Sequence, residues 1–100
     1  MRTVFVFATA LAVAPIAAFA QDAGGRNLAA ACAICHGTSG APGQGSPLVP
    51  LAGLPKDHIT TQMKAFRDGK RPATVMHQIA KGYSDEQIDQ LASWFASQKR

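Results

Sequence analysis

Apolar side chains recur at helical spacing in three stretches of this chain, and no stretch shows the period-two alternation of a half-buried strand. The clearest stretch lies near the C-terminus, where Ile88, Leu91, Ala92 and Phe95 fall at i, i+3, i+4 and i+7. Ser84 and Gln87 ahead of them form a capping-box pattern, in which a hydroxyl and an amide satisfy each other's free backbone N–H groups. Asp85 and Glu86 suit the positive end of that helix, and Lys99 and Arg100 the other. A second helix is predicted over Pro55 to Asp68. Ile59, Met63 and Phe66 share its apolar face, Pro55 suits its first turn and Gly69 ends it. Lys56, Asp57, Lys64 and Arg67 fall elsewhere on its surface. A third is predicted over Asp22 to Cys35, with Asp22 as N-cap, Leu28, Ala31, Cys32 and Cys35 on one face, and Gly37 as the stop. Gly24 and Gly25 weaken its start, because glycine costs a helix about 1 kcal/mol relative to alanine. Close contact with another helix would account for them. A short apolar segment, Ala73 to Lys81, is closed by Gly82.

The stretch from Gly37 to Leu54 reads as a long loop, dense in glycine and in Pro42, Pro47 and Pro50, and without charge. Leu48, Val49, Leu51 and Leu54 predict that its second half is packed. Lys70-Arg71-Pro72 reads as an exposed turn with solvated charges. The fold class is therefore all-α, and no internal repeat appears.

The first twenty residues carry a different pattern. Arg2 is the only charged side chain before Asp22, Val4 to Val13 is apolar apart from Thr9, and Ala18-Phe19-Ala20 is a small-x-small cleavage site. The competing reading is a retained membrane anchor. The uncharged stretch is long enough to span, but it is alanine-rich, broken by Pro15 and ends in a cleavage signature. The expectation is a cleaved signal over 1–20, one domain over 21–100, export to the periplasm, and no membrane association after cleavage. Residues 21–100 hold five Lys and four Arg against six acidic residues, a net +3. No basic stripe with interleaved aromatics points to nucleic acid. The mild excess suits an ordinary solvated surface or docking to an acidic redox partner. A domain this small usually needs a disulfide, a metal or a partner to be stable.

The chemistry concentrates in Cys32-Ala33-Ile34-Cys35-His36, which holds both cysteines of the chain. This is the spacing for covalent haem attachment, with two thioethers from Cys32 and Cys35 and His36 on the iron. A zinc site would want two clusters of ligands, whereas His58 and His77 stand alone. A thioredoxin-like pair would follow a strand, and none precedes Cys32. A disulfide across so short a loop would be strained and would constrain little. The carbonyl of Pro47 or Pro50 is expected to accept the His36 Nδ1 hydrogen bond. Met63, Met76, His58 and His77 are the candidates for the sixth iron ligand. Met63 belongs to a helical stripe and reads as core. Met76 sits where an approach segment can aim it inward, with His77 then pointing elsewhere and His58 exposed. Methionine also stabilises ferrous iron and raises the potential. With both iron positions filled, one-electron transfer remains rather than catalysis.

Four segments carry a resemblance. They are Cys32 to Thr38, Met63 to Gly69 with Phe66, Thr74-Val75-Met76 followed by Ile79 to Asp85, and Leu91 to Phe95. In these the chain resembles the class I c-type cytochromes, and more narrowly the small bacterial cytochromes related to the haem subunit of flavocytochrome c sulfide dehydrogenase. The resemblance implies the class I cytochrome c fold, three to four short helices and a long loop wrapped around one covalent haem c. It implies His36 and Met76 as axial ligands, and a contact between first and last helices through Gly24, Leu28, Leu91 and Trp94. The family's loop usually has proline two residues before its apolar residue, whereas Leu51 follows Pro50 directly. The expected function is periplasmic single-electron transfer by a protein that catalyses nothing alone. Its redox partner would be an FAD-containing sulfide dehydrogenase subunit. The alternative is a free soluble carrier for another periplasmic oxidoreductase. A third reading, a haem enzyme or gas sensor with an open iron site, requires that Met76 not bind.

Overall fold

A computed structural model describes residues 4, 5, 8–10, 12 and 24–100. Most of the expected export segment, its cleavage site and the Asp22 cap lie outside the described residues.

Residues 24–29 are α-helical (α1) and run through a 3-10 turn, Ala30–Cys32, into a short α-helical piece, Ala33–His36 (α2). The tightening falls where the chain reaches Cys32 and brings side chains three apart towards eclipse. Gly37 ends α2 at φ 86° and ψ 167°, a conformation essentially restricted to glycine. A Cβ at Gly37 would lie 2.4 Å from the Ala41 carbonyl oxygen. A second 3-10 turn, Thr38–Gly40, opens the long loop. Then follow α3 (Lys56–Arg67), α4 (Met76–Ala80) and α5 (Asp85–Ala96). Among the described residues there is no strand, in line with the all-α expectation.

The predicted apolar faces meet in one core. Ile59 and Met63 of α3 are buried together with Ile88, Leu91, Ala92 and Phe95 of α5, Ala80 of α4 and Ala29 of α1. The capping box forms as predicted. The Gln87 N–H donates to Ser84 Oγ at 3.2 Å, and the Ser84 N–H to Gln87 Oε1 at 3.0 Å. Two ion pairs set α3 against α5, Lys56 to Asp89 at 2.8 Å and Arg67 to Asp85 at 2.6 Å. The hydrogen bond from Arg67 holds the Asp85 carboxyl below its ordinary value. Both pairs lie at the surface, with only Arg67 half-buried, so they fix register more than they add stability.

The long loop is tied down in its second half. The N–H groups of Leu51 and Ala52 donate to the Gly40 carbonyl at 2.8 and 3.1 Å, and the Gly53 N–H donates to the Phe95 carbonyl at 2.9 Å. Ala52 is buried, and Leu51 and Leu54 are half-buried. Leu48 and Val49, 41% and 54% exposed, turn away from the core and line the cavity described below.

The expected contact between first and last helices forms, one residue later than the resemblance implied. A Cβ at Gly25 would lie 2.9 Å from the Gln90 carbonyl oxygen and 3.0 Å from Trp94 Cβ. At Gly24 the nearest atom is Gln90 Oε1 at 3.6 Å, an ordinary contact. The Tyr83 hydroxyl adds a bond to the Leu28 carbonyl at 3.1 Å. Gly25→Ala should therefore destabilise the protein by about 1–3 kcal/mol through overpacking, despite alanine's better helix propensity. Gly24→Ala should be neutral or slightly stabilising. Thermal unfolding of the two variants side by side checks the pair.

Candidate functional site

The end of α2, the loop, α3 and the segment from Arg71 to Ile79 enclose a cavity of about 460 Å³. This lies within the roughly 300–1,000 Å³ typical of small-molecule and cofactor sites. Its walls are mostly apolar. Leu48, Val49, Leu51 and Leu54 come from the loop, Ile59, Met63 and Phe66 from α3, Val75 and Ile79 from either side of Met76, and Leu91 from α5. Among the described residues no Asp or Glu lines it.

Cys32, Cys35 and His36 all reach this cavity. Both thiols are free, so the disulfide alternative is not what the structure shows. Cys32 is half-buried and Cys35 is exposed. Burial pushes the Cys32 thiol above its ordinary value. His36 Nδ1–H donates to the Val49 carbonyl at 2.8 Å. The expected acceptors, Pro47 and Pro50, do not receive this bond. Leu51, directly after Pro50, is pinned to Gly40, and this register presents the preceding carbonyl to the ring. A carbonyl only accepts, so Nδ1 carries the proton and Nε2 is left with a lone pair for a metal.

Met76 is the first residue of α4, half-buried, and lines the same cavity. Met63 lines it from α3 while being 7% exposed within the core. His58 is exposed as expected but also lines the cavity. His77 does not line it. Its Nε2–H donates to the Arg71 carbonyl, and its ring stands edge-on to Phe66 at 6.3 Å. The structure thus gathers Cys32, Cys35, His36 and Met76 at one cavity and leaves His77 outside.

Lys70, Arg71 and Pro72 are exposed, as expected of the turn. The Arg71 guanidinium nevertheless lies 4.6 Å over the Phe66 ring, donates from Nη1 to Gln62 Oε1, and lines the cavity. Gln62 and Phe66 lie one turn apart on α3, and the chain reversal at Gly69 brings Arg71 back over them. That spacing is the signal that a reading of the turn in isolation misses.

Among the described residues no group of three or more His, Cys, Asp or Glu comes together to hold a metal ion. The donor set at the cavity is two thiols, the imidazoles of His36 and His58, and the thioethers of Met63 and Met76, in apolar walls. Such soft donors without carboxylates do not suit a hard cation, and they fit an iron porphyrin held at its edge by sulfur. Among the described residues no helix is long and apolar enough to cross a membrane.

Comparison with known proteins agrees with this fit. The family model described as cytochrome c oxidase, cbb3-type, subunit III matches residues 19–95. Cytochrome c-554(548) of Halomonas halodenitrificans is 38% identical over 82 residues, covering 77% of this chain and 95% of the relative. The cytochrome subunit of sulfide dehydrogenase of Chlorobaculum tepidum is 38% identical over 74 residues, covering 73% of this chain and 64% of the relative. The thiosulfate dehydrogenase electron acceptor of Thiomonas intermedia is 37% identical over 71 residues, which span 71% of this chain and 33% of that protein. The chain therefore belongs to the cytochrome c family, as a small c-type cytochrome that carries electrons on covalently bound haem c.

Proposed function

We propose that this protein is a periplasmic monohaem electron carrier, its haem attached through Cys32 and Cys35 and ligated axially by His36 and Met76. The observation that carries this reading is the bond from His36 Nδ1–H to the Val49 carbonyl, which leaves Nε2 free at a cavity that Met76 also lines. When bound, the haem supplies one-electron exchange between ferric and ferrous iron. The two thiols hold its edge. The Val49 carbonyl orients the imidazole and raises its basicity. The Met76 thioether favours the ferrous state. Leu51, Leu54, Ile59 and Phe66 keep water from the cavity. Residues 1–20 are read as the export signal that brings the chain to the periplasm.

For the partner, the names of two relatives refer to dehydrogenases of inorganic sulfur compounds, one as a cytochrome subunit and one as an electron acceptor. The reading adopted is a haem subunit that accepts electrons from an FAD-containing sulfide dehydrogenase. A free carrier is the second reading, favoured by the 95% coverage of cytochrome c-554(548), a relative of nearly this chain's own extent. Purification from the native host, with identification of bound proteins and an optical spectrum, tests both. A co-purifying flavoprotein supports the subunit, and a monomer in the native extract supports the free carrier. Ready binding of carbon monoxide by the ferrous protein at neutral pH counts against both.

Met63 separates core from ligand. Met63→Ala should cost about 2–5 kcal/mol of stability, as for other buried methionines. It should leave intact the weak absorption band at the red end of the ferric spectrum that marks a methionine–iron bond. Chemical denaturation and the ferric spectrum of the variant check this.

A further inference from the structure

The segment that presents Met76 has little of its own to hold it. Helix α4 is five residues long, far below the roughly 12–15 at which an isolated helix becomes even marginally stable. Among the described residues, the backbone N–H groups of Ala73, Thr74 and Val75 donate to no backbone carbonyl. Val75, the residue before Met76, lies at φ −125° and ψ −20°, outside the helix.

Ala80 seats the far end of α4 in the core, and a side-chain strut adds to this at the end that carries Met76. His77 Nε2–H donates to the Arg71 carbonyl and closes the segment from 71 to 77 into a ring. Arg71 is tied to α3. Its N–H, and that of Lys70, reach the Ala65 carbonyl at 3.3 and 2.8 Å, and its guanidinium lies over Phe66. The His77 ring meets the same Phe66 edge-on at an interplanar angle of 61°. Phe66 is also a wall of the cavity. Met76 and His77 are adjacent on α4 and turn to different sides, one to the cavity and the other to this strut.

We infer that His77 is a positioning residue for the sixth ligand. Through the Arg71 carbonyl and the Phe66 edge it fixes the rotation of α4 and keeps the Met76 thioether aimed into the cavity. The inference rests on Met76 as the axial ligand. It concerns the imidazole as a hydrogen-bond donor.

The test uses the ferric holoprotein of the wild type, Met76→Ala, His77→Phe and His77→Gln. His77→Phe keeps a ring against Phe66 and removes the donor, whereas His77→Gln restores an N–H. In His77→Phe, affinity for added imidazole should rise roughly fivefold to tenfold, the order expected for one lost hydrogen bond. The red band should vanish on warming well before the far-ultraviolet helix signal. His77→Gln should move both readouts back towards the wild type. A red band that survives Met76→Ala removes the ligand reading and this inference with it. A band lost in Met76→Ala but wild-type in strength, thermal behaviour and imidazole affinity in His77→Phe overturns the inference alone. Should His77→Phe yield no holoprotein, the wild-type ferrous protein decides by nuclear magnetic resonance. A slowly exchanging His77 Nε2 proton close to Phe66 supports the strut, and a rapidly exchanging one overturns it.

Discussion

With Cys32 and Cys35 both replaced by serine, the chain should accumulate no haem-bearing protein, and the polypeptide that remains should be largely unfolded. The core explains why. Among the described residues its buried apolar side chains are Ala29, Ala52, Ile59, Met63, Ala80, Ile88, Leu91, Ala92 and Phe95, and four of these are alanines. The walls of the cavity hold much of the remaining apolar surface, with Leu51, Leu54, Phe66 and Met76 packed against the core from one side only. An empty cavity destabilises by about 24 cal/mol per Å³. Applied to about 460 Å³, this gives an upper bound of about 11 kcal/mol, as large as the whole stability of an ordinary domain. Opening to solvent and inward collapse of the walls reduce the penalty, but collapse gives up the native arrangement. Far-ultraviolet circular dichroism and a urea titration of the variant are the check. A cooperative transition in the absence of haem would show that the protein core is sufficient by itself.

Met76→Ala should leave a folded, haem-bearing protein with an open iron position. The red band disappears, and the ferrous form binds carbon monoxide at neutral pH. The reduction potential falls by on the order of 100 mV or more, a fraction of the roughly 0.8 V over which axial ligands tune haem. The direction follows from removing a soft thioether that stabilises ferrous iron. Potentiometric titration and carbon monoxide binding measure it. Met63 and His58 line the same cavity, so the variant also tests whether another donor takes the position. An unchanged potential and a retained band would transfer the ligand role to Met63.

What could be read in the sequence follows a physical division. The faces of α3 and α5 were legible because a period of 3.6 residues determines which side chains can be buried together, and Ile59, Met63, Ile88, Leu91, Ala92 and Phe95 are buried accordingly. The cap of α5 was legible because its chemistry is local. The glycine contact was legible as an oddity of composition, though only the packing shows that Gly25 rather than Gly24 makes it. The acceptor for His36 was not legible. Every residue carries a carbonyl, and in a loop rich in glycine and proline the direction of each depends on anchors elsewhere, here Gly40 and Phe95. The contacts of Arg71 were missed for a similar reason, since the partners Phe66 and Gln62 lie across a chain reversal.

The contact at Gly25 bears on the order in which this protein assembles. Seating α1 against Gln90 and Trp94 requires a loop to close across almost the whole described domain. Such closure is entropically unfavourable and comes after local structure. Before α5 has formed, α1 lacks the Gln90 and Trp94 surface on which Gly25 seats it. Cys32, half-buried once folding is complete, is then accessible. The proposed attachment through Cys32 is therefore expected before that contact forms, since this thiol is half-buried afterwards while Cys35 stays exposed.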